Sequence, residues 1–161
     1  MGEADEVRVG RLLERRGWQL AVAESCTGGL IGHLITNVPG SSDYFRGGII
    51  AYSNAVKQTL LGVSSGTLAK FGAVSQESAL EMARGVRRAL AADVGLSVTG
   101  IAGPGGGGLE KPVGTVWIGL NGPGSETAWH FVFDGDRLTI KEQAAEKALE
   151  LLVGHLTEAE N

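Results

Sequence analysis

The pattern of apolar and polar positions predicts alternating helices and strands over the first two thirds of the chain. Glu6 to Arg16 has the spacing of an amphipathic helix that ends at Gly17, and Trp18 to Ala23 is a short, mostly apolar strand. Helical spacing returns from Leu30 to Val38. The same reading predicts the next five segments: a buried strand Ile49 to Ala51, a short helix capped by Ser53 or Asn54, another short helix Ser64 to Lys70, a longer helix capped by Ser75, and a strand Asp93 to Ile101.

The last third of the chain predicts a hairpin followed by a helix. Gly114 to Leu120 and Thr127 to Phe133 alternate like strands, and the Asn-Gly-Pro-Gly turn at 121–124 joins them. The final helix begins near Arg137. Helices alternate with strands early and a hairpin comes late, so we expect one α/β domain: a three-layer α/β/α sandwich with a mixed β-sheet. We assign residues 1–161 to it, with a core of about residues 5–157.

Composition excludes several classes of protein. The net charge is −4 and no basic run is present, which argues against a nucleic-acid partner. One cysteine and three widely spaced histidines provide no disulfide and no metal-ligand pattern, so we expect neither a metal nor another cofactor. No apolar run approaches about 18 residues, and the N-terminus is acidic. We therefore expect a cytoplasmic protein without a membrane partner.

The stretch from Pro39 to Lys57, PGSSDYFRGGIIAYSNAVK, is the most informative of the chain. Its Gly47-Gly48 pair predicts a break in regular structure before the buried strand. Lys57 falls in the first turn of the following helix, where the helix dipole disfavours a cation. Burial would lower its pKa further and leave a neutral amine able to act as a base. The alternative is a solvated surface lysine.

Two glycine-rich segments are candidate ligand sites. In ESCTGG (24–29) a strand leads through a turn to a helix whose N-cap we predict to be Thr27, which is typical of an anion site. Cys26 is then either an activated thiolate or a small buried filler, and Glu24 either orients a ligand or bonds nearby backbone donors. The run at 103–108 matches GxGxxG but leads into no helix, so it is a loop that approaches a ligand or a mobile connector.

The remaining chemistry points to a serine with a lysine. Motifs of the common serine and zinc hydrolases are absent from the sequence. Ser41 or Ser42 can serve as a nucleophile with Lys57 as its base, in the manner of Ser–Lys hydrolases. Arg137, at the start of the last helix, offers a fork for a carboxylate or phosphate.

Several ordered motifs resemble the C-terminal domain family of the competence/damage-inducible protein CinA. They cover roughly residues 5 to 157, and they are ESCTGG (24–29), PGSS (39–42), GGIIAYSNAVK (47–57), GAVS (72–75), SVTGIAGPGGG (97–107), EKPVGTVWIG (110–119) and GDR (135–137). Larger members of that family carry an N-terminal molybdopterin-binding-like domain, which we do not expect in this protein.

The resemblance implies hydrolysis of the carboxamide of nicotinamide mononucleotide to nicotinate mononucleotide and ammonia, a step of pyridine nucleotide salvage. It implies Ser42 as the nucleophile, chosen from the pair by the family's spacing, Lys57 as the base, and Tyr52 as a third member that orients or shuttles the proton. It also implies a homodimer or higher homo-oligomer.

The residues expected to bind the substrate lie in the glycine-rich segments, beside the nucleophile and at Arg137. The resemblance implies three alternative positions for the 5′-phosphate: the Gly-rich loop near Thr99 to Gly105, the helix N-terminus at Thr27, and Arg137. Three other functions stay open: an inactive nucleotide-binding module, an interaction domain linked to competence or DNA damage, and an amidase for another small amide. The full set of expected binding residues is Ser25, Thr27, Gly28, Ser41, Thr99, Gly100, Ala102, Gly103 and Arg137.

Overall fold

A computed structural model describes residues 2–158, so residues 1 and 159–161 of the predicted domain lie outside the described part. The helices follow the predicted segments within a few residues, and so do the strands except for the second. The helices are α1 (Asp5–Arg16), α2 (Leu30–Thr36), α3 (Asn54–Leu61), α4 (Ser65–Phe71), α5 (Gln76–Ala89) and α6 (Arg137–Glu158). A 3₁₀ turn covers Ser41–Asp43. The strands are β1 (Leu20–Glu24), β2 (Phe45–Ile50), β3 (Val94–Gly100), β4 (Thr115–Gly122) and β5 (Ser125–Val132).

The five strands form one mixed sheet in the order β2-β1-β3-β4-β5. β1 pairs in parallel with both β2 and β3, whereas β3–β4 and β4–β5 are antiparallel. Side chains of a strand alternate between faces. Leu20 and Val22 accordingly join a cluster with α1 and α6, while Ala21 and Ala23 join a cluster with α3 and α5. The predicted three-layer α/β/α sandwich with a mixed sheet is confirmed.

The predicted break at Gly47-Gly48 is wrong, because both glycines lie inside β2. A Cβ at residue 48 would come within 2.8 Å of the Val22 side chain on β1, and Gly47 has φ +144°. The pairing of β1 with β2 also shifts register between Leu20 and Ala21. The glycines therefore permit a close and irregular strand contact rather than a turn.

The parallel strands place the segments that precede β2 and those that follow it at opposite edges of the sheet. The 3₁₀ turn Ser41–Asp43 precedes the first residue of β2, and the chain from Ala51 onward follows its last residue. The register matches Leu20 with Phe45 and Glu24 with Ile50. Six strand residues span about 20 Å. Residues just after Glu24 and Ile50 therefore lie together at the carboxyl edge, about that distance from Ser41 and Ser42.

Two helical glycines provide a matched test of the packing between α3 and α5. A Cβ at Gly85 of α5 would lie within 2 Å of the backbone carbonyl oxygen of Leu61, whereas a Cβ at Gly154 of α6 meets nothing within 4 Å. We expect Gly85→Ala to lower the free energy of unfolding by roughly 1–3 kcal/mol, because α5 must move away from α3. We expect Gly154→Ala to raise it by roughly 0.5–1 kcal/mol, through helix propensity.

Urea denaturation of both variants beside wild type checks this prediction. An equal effect of the two alanines would contradict the described helix contact.

Candidate active site

The Lys57 amine is buried at the carboxyl edge of the sheet and makes three polar contacts. Its side chain is 1% exposed. Nζ lies 2.9 Å from Ser25 Oγ, 2.7 Å from the carbonyl oxygen of Ala51 and 3.2 Å from that of Tyr52. Ser53 caps α3 by accepting a hydrogen bond from the N–H of Val56, and this cap sets the direction from which Lys57 enters the site.

The surroundings of Lys57 favour its neutral form. Burial lowers the pKa of this amine below the ordinary value of 10.5, and the nearby Cys26 opposes that shift. Among residues 2–158, no carboxylate forms an ion pair with Lys57. A buried ammonium without a counter-charge is costly, so the amine loses its proton more readily than a solvated lysine does.

The three contacts also determine which groups a neutral Lys57 amine donates to and which group faces its lone pair. Carbonyl oxygens only accept hydrogen bonds, so the two N–H groups of a neutral Lys57 go to Ala51 and Tyr52. The lone pair is then left for the hydroxyl of Ser25. This arrangement is the one that a base needs to take the proton of a serine nucleophile.

Ser25 is held by hydrogen bonds on both sides of the turn that follows β1. Its N–H donates to the carbonyl oxygen of Val98, and its own carbonyl oxygen accepts from the N–H of Gly28. The preceding Glu24 is 2% exposed, and its carboxylate accepts from the N–H groups of Ile31 and Gly32 at 2.9 and 3.0 Å. Of the two roles considered for Glu24, the structure therefore favours bonding to backbone donors.

The structure does not bring Ser42, the expected nucleophile, to Lys57. Ser42 is exposed in the 3₁₀ turn at the amino edge of the sheet, and Ser41, although 8% exposed, belongs to the same turn. Six residues of β2 separate that turn from the site. The serine beside Lys57 is Ser25, for which only a substrate-binding role is expected from the sequence.

Tyr52 and Arg137 meet at the mouth of the site. The Tyr52 side chain is 61% exposed, and its phenol oxygen accepts a hydrogen bond of 3.1 Å from Arg137 Nη2. Arg137 Nη1 donates to the carbonyl oxygen of Gly103 at 2.6 Å. The guanidinium therefore joins the Gly-rich loop to Tyr52. The link from Tyr52 to Lys57 is made by its backbone carbonyl and not by its phenol.

A cavity of about 270 Å³ opens beside Ser25 and Lys57. Most of the expected binding residues line it. They are Ser25, Thr99, Gly100, Ala102, Gly103 and Arg137, together with Tyr52, Cys26 and three residues without an expected role in the site, Asn54, Ala73 and Val74. Thr99 is fixed by donating from Oγ1 to the carbonyl oxygen of Ala73 at 2.9 Å.

Thr27 and Gly28 lie outside the lining of this cavity and belong to a neighbouring one. Thr27 is not the N-cap of α2, which is Gly29 with φ +105°, because the Glu24 carboxylate already occupies the first-turn N–H groups. Cys26 is 5% exposed, and burial raises the pKa of its thiol to about 11. A thiol of that pKa stays protonated, so Cys26 is a buried filler rather than an activated thiolate.

Residues 2–158 contain neither a metal-ligand cluster nor a helix that could span a membrane. No cluster of three or more His, Cys, Asp or Glu side chains in this range could hold a metal ion. None of the helices in the same range combines the length and apolar character that a membrane span requires.

One signal in the sequence could have identified Ser25. It follows the buried strand predicted before the ESCTGG turn, and Tyr52 and Lys57 follow the next predicted strand along the chain. Carboxyl ends of neighbouring parallel strands meet at one edge of a sheet, where open α/β folds bind their ligands. That rule favours Ser25 over a serine that precedes a strand.

Comparison with known proteins identifies the family. The model of the CinA C-terminal domain matches residues 3–156. The chain is 52% identical over 140 residues to the nicotinamide-nucleotide amidohydrolase PncC of Enterobacter agglomerans, covering 86% of this chain and 85% of that protein. It is 61% identical over 130 residues to a putative competence-damage inducible protein of Halothermothrix orenii, of which it covers 32%. The chain thus spans about a third of the length of several curated relatives that it matches.

Solved structures support the same assignment. A CinA superfamily protein from Klebsiella pneumoniae aligns with a TM-score of 0.92 at 34% identity, over 96% of each chain. A competence/damage inducible protein from Agrobacterium tumefaciens aligns with a TM-score of 0.86 at 37% identity, over 98% of this chain and 99% of that one. The family model, the relatives and the fold agree, and the chain belongs to the CinA C-terminal domain family.

Proposed function

We propose that this protein is an amidohydrolase that converts nicotinamide mononucleotide to nicotinate mononucleotide and ammonia, with Ser25 as nucleophile and Lys57 as base. The observation that carries the proposal is the 2.9 Å contact between Lys57 Nζ and Ser25 Oγ at the wall of a cavity. The proposed substrate follows from the similarity to the nicotinamide-nucleotide amidohydrolase of Enterobacter agglomerans, of which this chain covers 85%.

The first half of the reaction forms an ester on Ser25. Lys57 takes the hydroxyl proton as Ser25 Oγ attacks the carboxamide carbon. The resulting tetrahedral intermediate collapses as its C–N bond breaks, and Lys57 returns the proton to the departing ammonia. The nicotinyl group of the nucleotide is then held as an ester of Ser25.

The second half repeats these steps with water. Lys57 takes a proton from a water molecule that attacks the ester carbon, and the C–O bond to Ser25 breaks. The proton returns to Ser25 Oγ, and nicotinate mononucleotide leaves. One amide bond and one water molecule are consumed in each cycle, and no redox partner is required.

Backbone N–H groups beside Ser25 are suited to hold the oxyanion of both intermediates. The N–H of Cys26 follows the nucleophile directly, and that of Ala102 lies on the loop lining the cavity. Neither donates to a backbone acceptor among residues 2–158. Such donors stabilise the charge that develops on the carbonyl oxygen.

Tyr52 is proposed as the third member of the site, in an orienting role. Its carbonyl oxygen directs an N–H of Lys57, and its phenol with Arg137 forms the entrance that a substrate must pass. The reaction would return nicotinamide nucleotide to pyridine nucleotide salvage. A homo-oligomer remains a prediction, and light scattering in solution would measure it.

We expect Ser25→Ala to abolish ammonia release and Ser42→Ala to leave it almost unchanged. Removing the nucleophile should lower kcat by at least about 10³-fold. Removing an exposed hydroxyl at the other edge of the sheet should change the rate by about twofold or less. Ammonia release from nicotinamide mononucleotide is measured in EDTA, with circular dichroism to confirm that both variants are folded.

The reverse pattern, with Ser42→Ala inactive and Ser25→Ala active, would reject Ser25 as nucleophile. Binding of the nucleotide without turnover by wild type would instead favour the inactive binding module. Turnover of another small amide in preference to the nucleotide would keep the mechanism and change the substrate.

The pH dependence of kcat/KM tests Lys57 as the base. The unprotonated amine is the active form, so the rate should rise with pH and level off above the pKa of Lys57, which lies below 10.5. Lys57→Met should lower kcat by at least about 10²-fold and remove that inflection. Lys57→Arg should be equally inactive, because a guanidinium does not release its proton at these pH values.

Rescue provides the control for these variants. In Lys57→Ala, added methylamine should restore part of the activity in proportion to its unprotonated form. Activity of Lys57→Arg close to wild type would show that a cation, and not a base, is needed at this position.

A further inference from the structure

The catalytic cavity is lined by positive charge without negative charge. Lys57 and Arg137 both belong to its lining, and none of the described residues that line it is an aspartate or a glutamate. Arg137 is already engaged at the mouth, where it donates to the Gly103 carbonyl and to the Tyr52 phenol. Lys57 has only neutral partners. The lining therefore does not provide the anion that a protonated Lys57 needs.

The titratable groups around Lys57 leave this imbalance in place. Among the described residues, Cys26 acts on Lys57, and burial raises the pKa of its thiol to about 11, so it carries no charge at physiological pH. The charges of Glu24 and Lys141 act on that thiol in opposite directions, and the Glu24 carboxylate is bonded to two N–H groups of α2. The helix α5 packs against α3, but its charged residues are not partners of the amine; they are Glu77, Glu81, Arg84, Arg87 and Arg88.

The single proton of the Ser25 hydroxyl can take two directions, and the charge of Lys57 determines which. A neutral Lys57 uses both N–H groups on the carbonyl oxygens of Ala51 and Tyr52, so Ser25 donates to its lone pair. A protonated Lys57 has a third N–H, which donates to Ser25 Oγ at the same 2.9 Å contact. The Ser25 proton is then directed to the cavity that this residue lines. Protonation of one amine thus changes Ser25 from an acceptor into a donor toward a ligand.

A carboxamide and a carboxylate of the same shape match these two states differently. In both groups one oxygen accepts from the proposed oxyanion donors, the N–H groups of Cys26 and Ala102, and the other arm faces Ser25. In an amide that arm is an NH₂ group, which only donates and needs Ser25 as an acceptor. In a carboxylate it is an oxygen, which only accepts and needs Ser25 as a donor. Turning the amide over only moves its NH₂ group against the two N–H groups.

We propose that the catalytic cavity binds monocarboxylates isosteric with its amide substrate, as ion pairs with a protonated Lys57 and with the Ser25 hydroxyl as donor. The placement of the ligand in this inference rests on the proposed function. The carboxylate supplies the charge that the lining does not provide, and its hydrogen bond from Ser25 is charge-assisted. The acid product is therefore held more tightly than the amide wherever Lys57 is protonated, and it competes with the substrate.

The affinity for the carboxylate changes with pH in one direction. Burial lowers the pKa of Lys57 below 10.5, and a bound carboxylate raises it, because an opposite charge favours the ammonium. Below the pKa of the free protein the amine is already charged, so the affinity is full and constant. Above that pKa each carboxylate must bind together with a proton from solvent, so the affinity falls by about tenfold per pH unit until the pKa of the complex is reached.

Calorimetry of wild type with nicotinate mononucleotide measures this pH dependence. The titration starts at about pH 7.5, where a phosphate monoester has lost its second proton, so the charge of the ligand stays constant. We expect Kd to be constant at first and to rise by about tenfold per pH unit above the pKa of Lys57. NMR of ¹⁵N-labelled lysine should show that the ligand raises that pKa.

Two Lys57 variants separate the charge from its titration. Neither should hydrolyse nicotinamide mononucleotide, so the acid and the amide can be compared on them as a matched pair. Lys57→Arg keeps a permanent cation, so it should prefer the acid by about tenfold to a hundredfold at every pH. Lys57→Met should bind the acid no more tightly than the amide. Circular dichroism checks that both are folded, and the wild-type profile with Lys57→Met decides the question if the larger arginine prevents folding.

The carboxylate mode is rejected if the wild-type Kd for nicotinate mononucleotide does not change across the pKa of Lys57, or if Lys57→Met binds the acid as tightly as wild type does. Ammonia release tests the proposed function separately. A protein that binds the acid through Lys57 but does not hydrolyse the amide would refute the proposed function and keep the carboxylate mode. Hydrolysis of the amide, with binding of the acid independent of pH, would keep the function and refute the carboxylate mode.

Discussion

The site depends on one buried amine, Lys57, that pairs with no carboxylate among residues 2–158. Lys57 is surrounded by two carbonyl oxygens and one hydroxyl, and burial lowers its pKa. Between that lowered value and 10.5, the unfolded chain binds more protons at Lys57 than the folded chain does. Its contribution therefore makes stability rise with pH in this window, and at neutral pH the buried amine reduces stability. A structural role would favour a buried apolar residue, so the position is better explained by chemistry.

The sheet assembles this environment from segments that are distant in the sequence. β1 delivers Ser25, β2 delivers the carbonyls of Ala51 and Tyr52, and α3 returns Lys57 to the same edge. The N–H of Ala51 donates to the carbonyl oxygen of Glu24, so the two strands remain paired up to the site. Ser25 is thus held by its bond to Val98 in the sheet on one side and by the N–H of Gly28 on the other, while the Glu24 carboxylate binds the first turn of α2. The Gly-rich loop contributes to the cavity wall, whereas the proposed reacting pair, Ser25 and Lys57, lies at the carboxyl edge of the sheet.

Much of the fold follows from local pattern, and the identity of the nucleophile does not. A serine stands just before each of the helices α3, α4 and α5, which is the position where its side chain can cap the helix. In the structure each of these serines accepts a hydrogen bond from the N–H three residues later. The place of Lys57 in the first turn of a helix leaves a base and a solvated lysine both open, and the family resemblance implies the base. The sequence predicts only a binding role for Ser25, because Ser25 and Lys57 are 32 residues apart. Their contact depends on the order of the strands in the sheet, and local periodicity does not predict that order. The break predicted at Gly47-Gly48 is wrong for a similar reason. A side chain at residue 48 would collide with Val22 on the neighbouring strand, and this contact is not visible in the local sequence.

The central claim is that Lys57 is a neutral amine facing Ser25, and an NMR titration of its side-chain nitrogen tests this most directly. Protein with ¹⁵N-labelled lysine is titrated, and the spectrum of Lys57→Met identifies the Lys57 resonance. The account predicts that this nitrogen loses its proton below 10.5, at the pH where kcat/KM rises. A Lys57 that stays protonated up to 10.5 or above would contradict the account, because a permanent ammonium has no lone pair with which to activate Ser25.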